Sequence, residues 1–221
     1  NVPPSLTLGN GELYFTPGTY LVSSIIVWRH IKLFFDGGVL APLDQVTSRA
    51  YLVKVFGYTD IHDMTINMNY AINYTTAVLC IERYNDFMNV NIWSAVLAYT
   101  FGDPAWVDPA LANRGSSEIQ VIGGTVNWGV SVATIYGQET IIKFTGGNYY
   151  SYPASIPAGN PNKAAWDALT PNVFSNYGGA LYIANATIGN FNASQAACLE
   201  SYFQTNTNAG YFNQYGSFYL S

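Results

Sequence analysis

Two aspartates bracket a histidine in Asp60-Ile61-His62-Asp63, inside the stretch TDIHDMTIN at 59–67. An imidazole between carboxylates is a pattern that serves acid–base chemistry or metal ligation. Asp86, Glu82, Glu118 and Glu139 are further carboxylates that could face a cleft. Two other segments set a ring beside an acid: AWVDPAL (105–111) holds Trp106 and Asp108, and AAWDALTP (164–171) holds Trp166 and Asp167. A flat ring stacks on the C–H faces of a sugar while a carboxylate accepts hydrogen bonds from its hydroxyls, so both are candidate sugar-binding pairs. The same residues also suit a plainer role, with the indoles pinning their loops against the body of the protein. These groups stand out because only 10% of the residues are charged, less than half the usual share.

Which chemistry is open depends on the elements that carry these residues. Over 221 residues, one sizeable core and one domain are expected. With few charges, the surface must be built from Asn, Ser, Thr, Tyr and Gly. A net charge of -5 offers no basic stripe for phosphates, which argues against nucleic acid or an anionic membrane as partner. No apolar run is long enough to span a bilayer, and residues 1–20 lack the layout of a signal peptide, so a soluble chain, whole or excised, is expected. Cys80 and Cys198 are too few for a disulfide framework and read as buried free thiols. No motif implies a cofactor or a metal.

Short alternating runs of Val, Ile, Tyr, Phe and Thr, punctuated by Gly, Asn and Pro, predict many short strands and an all-β fold. Stacking the chain on itself reveals a repeat. FFDGGVL (34–40), IHDMTIN (61–67), FMNVNIW (87–93), VIGGTVN (121–127), FTGGNYY (144–150) and IANATIG (183–189) align so that the third position reads Asp36, Asp63, Asn89, Gly123, Gly146, Asn185. These three residue types tolerate a left-handed backbone. Two positions earlier stand Phe34, Ile61, Phe87, Val121, Phe144 and Ile183; three later stand Val39, Ile66, Ile92, Val126, Tyr149 and Ile188. Both columns are apolar, as the inside of a coil that bends at a left-handed residue and stacks turn on turn requires. Segments 102–117 and about 153–177 read as insertions, and loops of that length are usually functional or disordered. The register ends after Asn185, leaving 191–221 as a cap or a contact with a neighbouring chain.

The register divides the Asp-His-Asp cluster. Asp63 belongs to the bend column, and His62 has no second histidine nearby, so it reads as a packed or hydrogen-bonded side chain. Asp60 falls in an outward column reading Leu33, Asp60, Asp86, Gln120, Lys143, Tyr182. Asp60 and Asp86 then lie on adjacent coils, about 5 Å apart by strand spacing. That separation suits the carboxylate pair of a retaining glycosidase, or raises one pKa for general-acid work. It equally fits a like-charge pair at a solvated surface, with Lys143 as partial compensation. Trp93 falls in another outward column, with Asn67, Asn127 and Tyr150, a surface of amides and rings suited to an extended polysaccharide.

The opening GNGELYFTPGTYLVSS followed by IKLFFDGGVL resembles the first coil of right-handed parallel β-helix proteins of the pectate-lyase-like superfamily. Tyr14-Phe15-Thr16-Pro17-Gly18-Thr19-Tyr20 matches the superfamily's Tyr-Phe-Pro-Pro-Gly-Thr-Tyr opening except that Thr16 replaces its first Pro. Few charges with many Tyr and Asn resemble phage or virus tailspikes more than secreted pectinases. The Asn-Thr-Asp, Asp-Asp, Gly-His-Gly and Arg-Ile-Lys segments of polygalacturonases are absent. The resemblance implies a right-handed parallel β-helix, a solenoid of about six to seven coils over roughly 9–190 with two inserted loops, forming one domain over 1–221. It also implies a homotrimer at a virion surface or outside the cell.

Three functions follow as expectations. The first is a spike or adhesin that binds host cell-surface polysaccharide through Trp93, Trp106, Asp108, Lys143, Trp166 and Asp167. The second is a polysaccharide depolymerase, a glycoside hydrolase or lyase, using Asp60 and Asp86. The third is a structural fibre or virion-decoration segment without a ligand.

Overall fold

The structure, a computed structural model, describes residues 11–82, 84–103, 117–136, 140–151, 156–169, 173–177, 179–192, 195–196, 211–213 and 217–220. The chain winds as a right-handed parallel β-helix, each coil laying one strand on each of three sheets. Sheet A stacks Gly11–Phe15, Ile31–Phe35, Thr59–His62, Asn85–Met88, Ser117–Ile122, Thr140–Thr145, Ala180–Ala184 and Ser217–Leu220. Sheet B stacks Gly18–Val22, Gly38–Pro42, Thr65–Asn67, Asn91–Trp93, Thr125–Gly129, Asn148–Ser151 and Thr187–Asn192, with Gln195–Ala196 added antiparallel at its end. Sheet C stacks Ile25–Val27, Arg49–Val55, Tyr74–Cys80, Leu97–Phe101, Ser131–Tyr136, Phe174–Tyr177 and Tyr211–Asn213. The described residues thus form seven coils and the first strand of an eighth. The repeat fades after Asn185 in sequence, yet Ala180–Ile183 pair in register with Ser217–Leu220.

Strands this short hold together because alternate side chains meet inside the coil. Ile61, Phe87, Val121, Phe144 and Ile183 stack along the inner face of sheet A, and Ile66, Ile92, Val126, Tyr149 and Ile188 along that of sheet B, all buried. Each such side chain contributes roughly 1.5–3 kcal/mol by leaving water. Tyr149 brings its hydroxyl inside and donates it to the Gly123 carbonyl at 2.6 Å. Cys80 is also buried and unoxidised, with Asn85 Nδ2 3.2 Å from its sulfur. Burial pushes its thiol pKa up. Cys198 lies outside the described residues.

The bend column is left-handed at Asp63 (φ 58°), Asn89 (φ 54°), Gly123 (φ 66°), Gly146 (φ 66°) and Asn185 (φ 52°). The aligned Asp36 is not: Gly37, at φ 73°, takes that conformation. The cause is a longer corner in the first coils. Leu33 pairs with Ile61 and Leu40 with Ile66, so the second coil has two more residues between these positions than the third. Leu33 and Leu40 therefore occupy the core columns assigned in sequence to Phe34 and Val39. Lys32, not Leu33, stands beside Asp60, and Phe34 faces outward, stacked between Tyr14 (4.9 Å) and His62 (4.7 Å). The packed role expected of His62 is this ring ladder.

Candidate functional site

Left-handed residues also form the other two corners, where sequence reasoning found no repeat. Between sheets C and A stand His30 (φ 63°), Tyr58 (φ 60°) and Tyr84 (φ 55°); between sheets B and C stand Tyr70 (φ 58°), Ser94 (φ 58°) and Trp128 (φ 60°). Bulky side chains rarely take this angle, and where they do the site is often functional. Of these six, all but His30 line two surface depressions; Asn69 (φ 49°), beside Tyr70, lines neither.

The first lies on the outer face of sheet A, a groove of about 370 Å³ lined by Tyr58, Asp60, Tyr84, Asp86, Glu118 and Gln120. Asp60 and Asp86 are direct partners on adjacent strands, as the repeat predicted, and Gln120 and Lys143 follow in the same column. The three carboxylates are not equivalent. Asp60 ion-pairs with Lys32 at 3.3 Å. Glu118 receives Lys143 Nζ at 2.5 Å. Asp86 stands between them with no ion pair among the described residues. Its partial burial, then the charges of Asp60 and Glu118, push its pKa above the ordinary carboxylate value, against a smaller opposing influence from His62. Lys143 is thus engaged by Glu118 at the surface. Glu82 stays out of the groove, held at the corner by Arg29 at 2.5 and 2.6 Å and by the Gly57 amide at 3.2 Å. The Arg29 hydrogen bonds hold its pKa below the usual value despite partial burial.

The second depression is an open trough of about 630 Å³ on the outer face of sheet B. It is lined by Asn67, Tyr70, Asn91, Trp93, Ser94, Thr125, Asn127 and Trp128. Trp93 lies between Asn67 and Asn127 in register, as the outward column predicted. Trp93 is 41% exposed and Trp128 52% exposed. Sequence reasoning missed Trp128 because a register shift between Val126 and Gly129 displaces it from the repeat. Among the described residues, no lining side chain is charged. Asn91 is tied into the coil, accepting from the Thr125 hydroxyl at 2.8 Å and donating to the Asn89 carbonyl at 3.1 Å. Asn67 accepts from the Asn69 amide at 3.0 Å, leaving its own NH2 group without a partner among the described residues.

Of the two roles expected of the inserted indoles, Trp166 takes the plainer one, pinning its loop. Trp166 is fully buried against Val130 and Ile156, so its indole offers no face to a sugar. Asp167 is paired with Lys163 at 2.7 Å in the short helix Lys163–Asp167. Trp106, Asp108 and Glu139 lie outside the described residues. Among the described residues, no group of three or more His, Cys, Asp or Glu could hold a metal ion, and no helix is long and apolar enough to cross a membrane.

The class that the coils define is a parallel β-helix, an architecture that hosts many functions. A scan against protein-family models, a search of curated proteins and a search of solved structures each returned no match to this chain. Function therefore rests on the chemistry of the two depressions.

Proposed function

We propose that the protein is a glycan-binding module of spike or adhesin type, and that the trough on sheet B holds an uncharged stretch of host cell-surface polysaccharide. The observation that carries this is a pair of exposed indoles, Trp93 and Trp128, set among amides and hydroxyls with no charged side chain among the described residues. Indole faces stack on sugar C–H surfaces, while Asn67 and Asn127 offer donors and acceptors to hydroxyls. A uronate or sialate would find no cation among the described residues of the trough and a chain of net charge -5 around it. The strands step along the coil axis by about 4.8 Å, so a glycan lying along that axis meets a new amide or ring at each coil. This function carries with it a virion-surface or extracellular setting and the tailspike-like homotrimer, whose mass light scattering measures.

The test is calorimetric titration with the linear hexasaccharides of β-1,4-glucose, β-1,4-mannose and N-acetylglucosamine, with hexagalacturonate as the charged comparator. Binding to a neutral member, weakened tenfold or more by Trp93→Ala, is expected. Failure of every neutral member to bind, or tighter binding of hexagalacturonate, would sink the proposal.

A second function, depolymerisation, draws on a separate observation: Asp86 is the carboxyl of the sheet A groove that lacks a cation, and its pKa is raised. A protonated Asp86 can give its proton to a glycosidic oxygen. Asp60, one strand away, can then attack the anomeric carbon, a spacing near that of retaining glycosidases. Water activated by the deprotonated Asp86 would release the product and restore both groups. Reducing ends released by the wild type and abolished by Asp86→Asn are the expected signature; wild-type protein that releases none removes this reading.

A further inference from the structure

One wall of the trough, Tyr70, is braced by residues from far away in the sequence. Asn69 and Tyr70 are consecutive left-handed residues at φ 49° and 58°. Both carbonyls are met by side chains: Gln45 Nε2 donates to the Asn69 carbonyl at 3.1 Å, and Asn162 Nδ2 to that of Tyr70 at 3.0 Å. Asn162 Nδ2 also donates to Gln45 Oε1 at 3.1 Å, joining the two supports. The Tyr70 amide donates to the Ser94 carbonyl at 3.1 Å. Four residues past Asn162, the buried Trp166 meets the Tyr70 ring edge-on, 5.3 Å between centroids at 85°. It also packs on Val130, two residues beyond Trp128. One inserted segment therefore braces the backbone and ring of Tyr70 and the strand that follows Trp128.

We propose that Asn162 and Trp166 are positioning residues that fix Tyr70 as a wall of the trough, so that the inserted segment sets how tightly the trough grips its glycan. The proposal rests on the trough being the glycan site. A left-handed tyrosine is strained by about 1–2 kcal/mol, and such a conformation persists where its surroundings over-determine it. Without the brace, Tyr70 has lower-energy backbone states that withdraw its ring from the wall. Neither Asn162 nor Trp166 lines the trough, so the effect of Asn162 on binding must pass through Tyr70, and that of Trp166 through Tyr70 or the Val130 contact.

A double-mutant cycle tests this, read by titration with whichever neutral hexasaccharide of the panel above binds the wild type most tightly. Asn162→Ala is expected to weaken binding about fivefold, the scale of one lost hydrogen bond, and Tyr70→Ala about tenfold, the scale of a lost ring contact. The double variant should bind no worse than Tyr70→Ala alone, because the brace has nothing left to hold. Trp166→Phe, which keeps a ring edge against Tyr70, should retain most of the affinity that Trp166→Leu loses. Additive losses in the cycle, or wild-type affinity in Asn162→Ala while Trp93→Ala abolishes binding, overturn the positioning role and leave the site standing. Unchanged affinity in Trp93→Ala, or no binding by the wild type, overturns the site and the wall together.

Discussion

The corner between sheets A and B carries its left-handed angle on Asp63, Asn89, Gly123, Gly146 and Asn185, whereas the other two corners impose the same angle on Tyr58, Tyr84, Tyr70, Ser94 and Trp128. The first set are residue types for which that conformation is inexpensive, and their side chains serve the coil itself. Asn89 Nδ2, for instance, donates to Asp63 Oδ1 one coil away at 3.2 Å. The second set carries bulkier side chains, which pack on their neighbours, Tyr58 on His30 and Tyr70 edge-on to Trp166, and also line the sheet A groove and the sheet B trough. Backbone angle alone therefore does not mark a site in this molecule. The mismatch between angle and residue type, His30 apart, coincides with the two depressions.

The largest effect expected at the first corner is from Gly124→Ala. Gly124 has φ +77°, and a Cβ there would run into the Val90 carbonyl oxygen and lie 2.7 Å from its amide nitrogen, with backbone on both counts. A loss of ~3 kcal/mol or more in urea unfolding is expected; a wild-type midpoint would break the claim that sterics dictate this corner. Trp128→Gly should behave oppositely. Relief of the left-handed strain offsets the lost ring contacts, so stability should stay within ~1 kcal/mol of wild type while hexasaccharide affinity falls at least tenfold. A large loss of stability with affinity retained would make Trp128 a structural residue like its counterparts at the first corner.

Asn89 offers a finer test, since it can be changed without a clash. Asn89→Ala should destabilise by ~1–2 kcal/mol, from the angle and the bond to Asp63 together, and Asn89→Gly by less. Equal losses would show that the angle contributes nothing at this corner. The smallest effect is the pH dependence in the sheet A groove. Asp86 has a raised pKa, so between its ordinary and its folded value the native state holds a proton that the unfolded chain has released. Stability must therefore fall as pH rises through that window. Asp86→Asn should flatten this slope and gain slightly on wild type at neutral pH. Glu82, held low by Arg29, has the opposite sign, its contribution being lost as pH falls through its folded value. An unchanged slope in Asp86→Asn would mean that the middle carboxylate is no different from its neighbours.

The Asp60–Asp86 pairing was legible in sequence because both residues lie at a fixed offset from an apolar column and a left-handed bend, and five of the six aligned segments keep that offset. The sixth did not, because Asp36-Gly37-Gly38 offers several residues able to take the angle and composition cannot say which one does. The corners at Tyr58 and Tyr70 left no trace, since nothing about a tyrosine marks it for a positive φ. Trp128 was hidden by a shifted register. Trp166 looked like a sugar platform because a Trp beside an Asp in a loop says nothing about which way its ring will turn.

By itself, the sequence determined the all-β class, the coil, its inward columns and the first corner, because strand preference, alternation and tolerance of a left-handed angle belong to single residues and their near neighbours. The tertiary structure decided which side chains remain open for chemistry. Lys32 takes Asp60, Lys143 takes Glu118, Asn162 takes the Tyr70 carbonyl, and Asp86 and Trp93 are left facing outward. Those outcomes depend on partners from other coils or from the inserted segment, and only stacking brings them within reach.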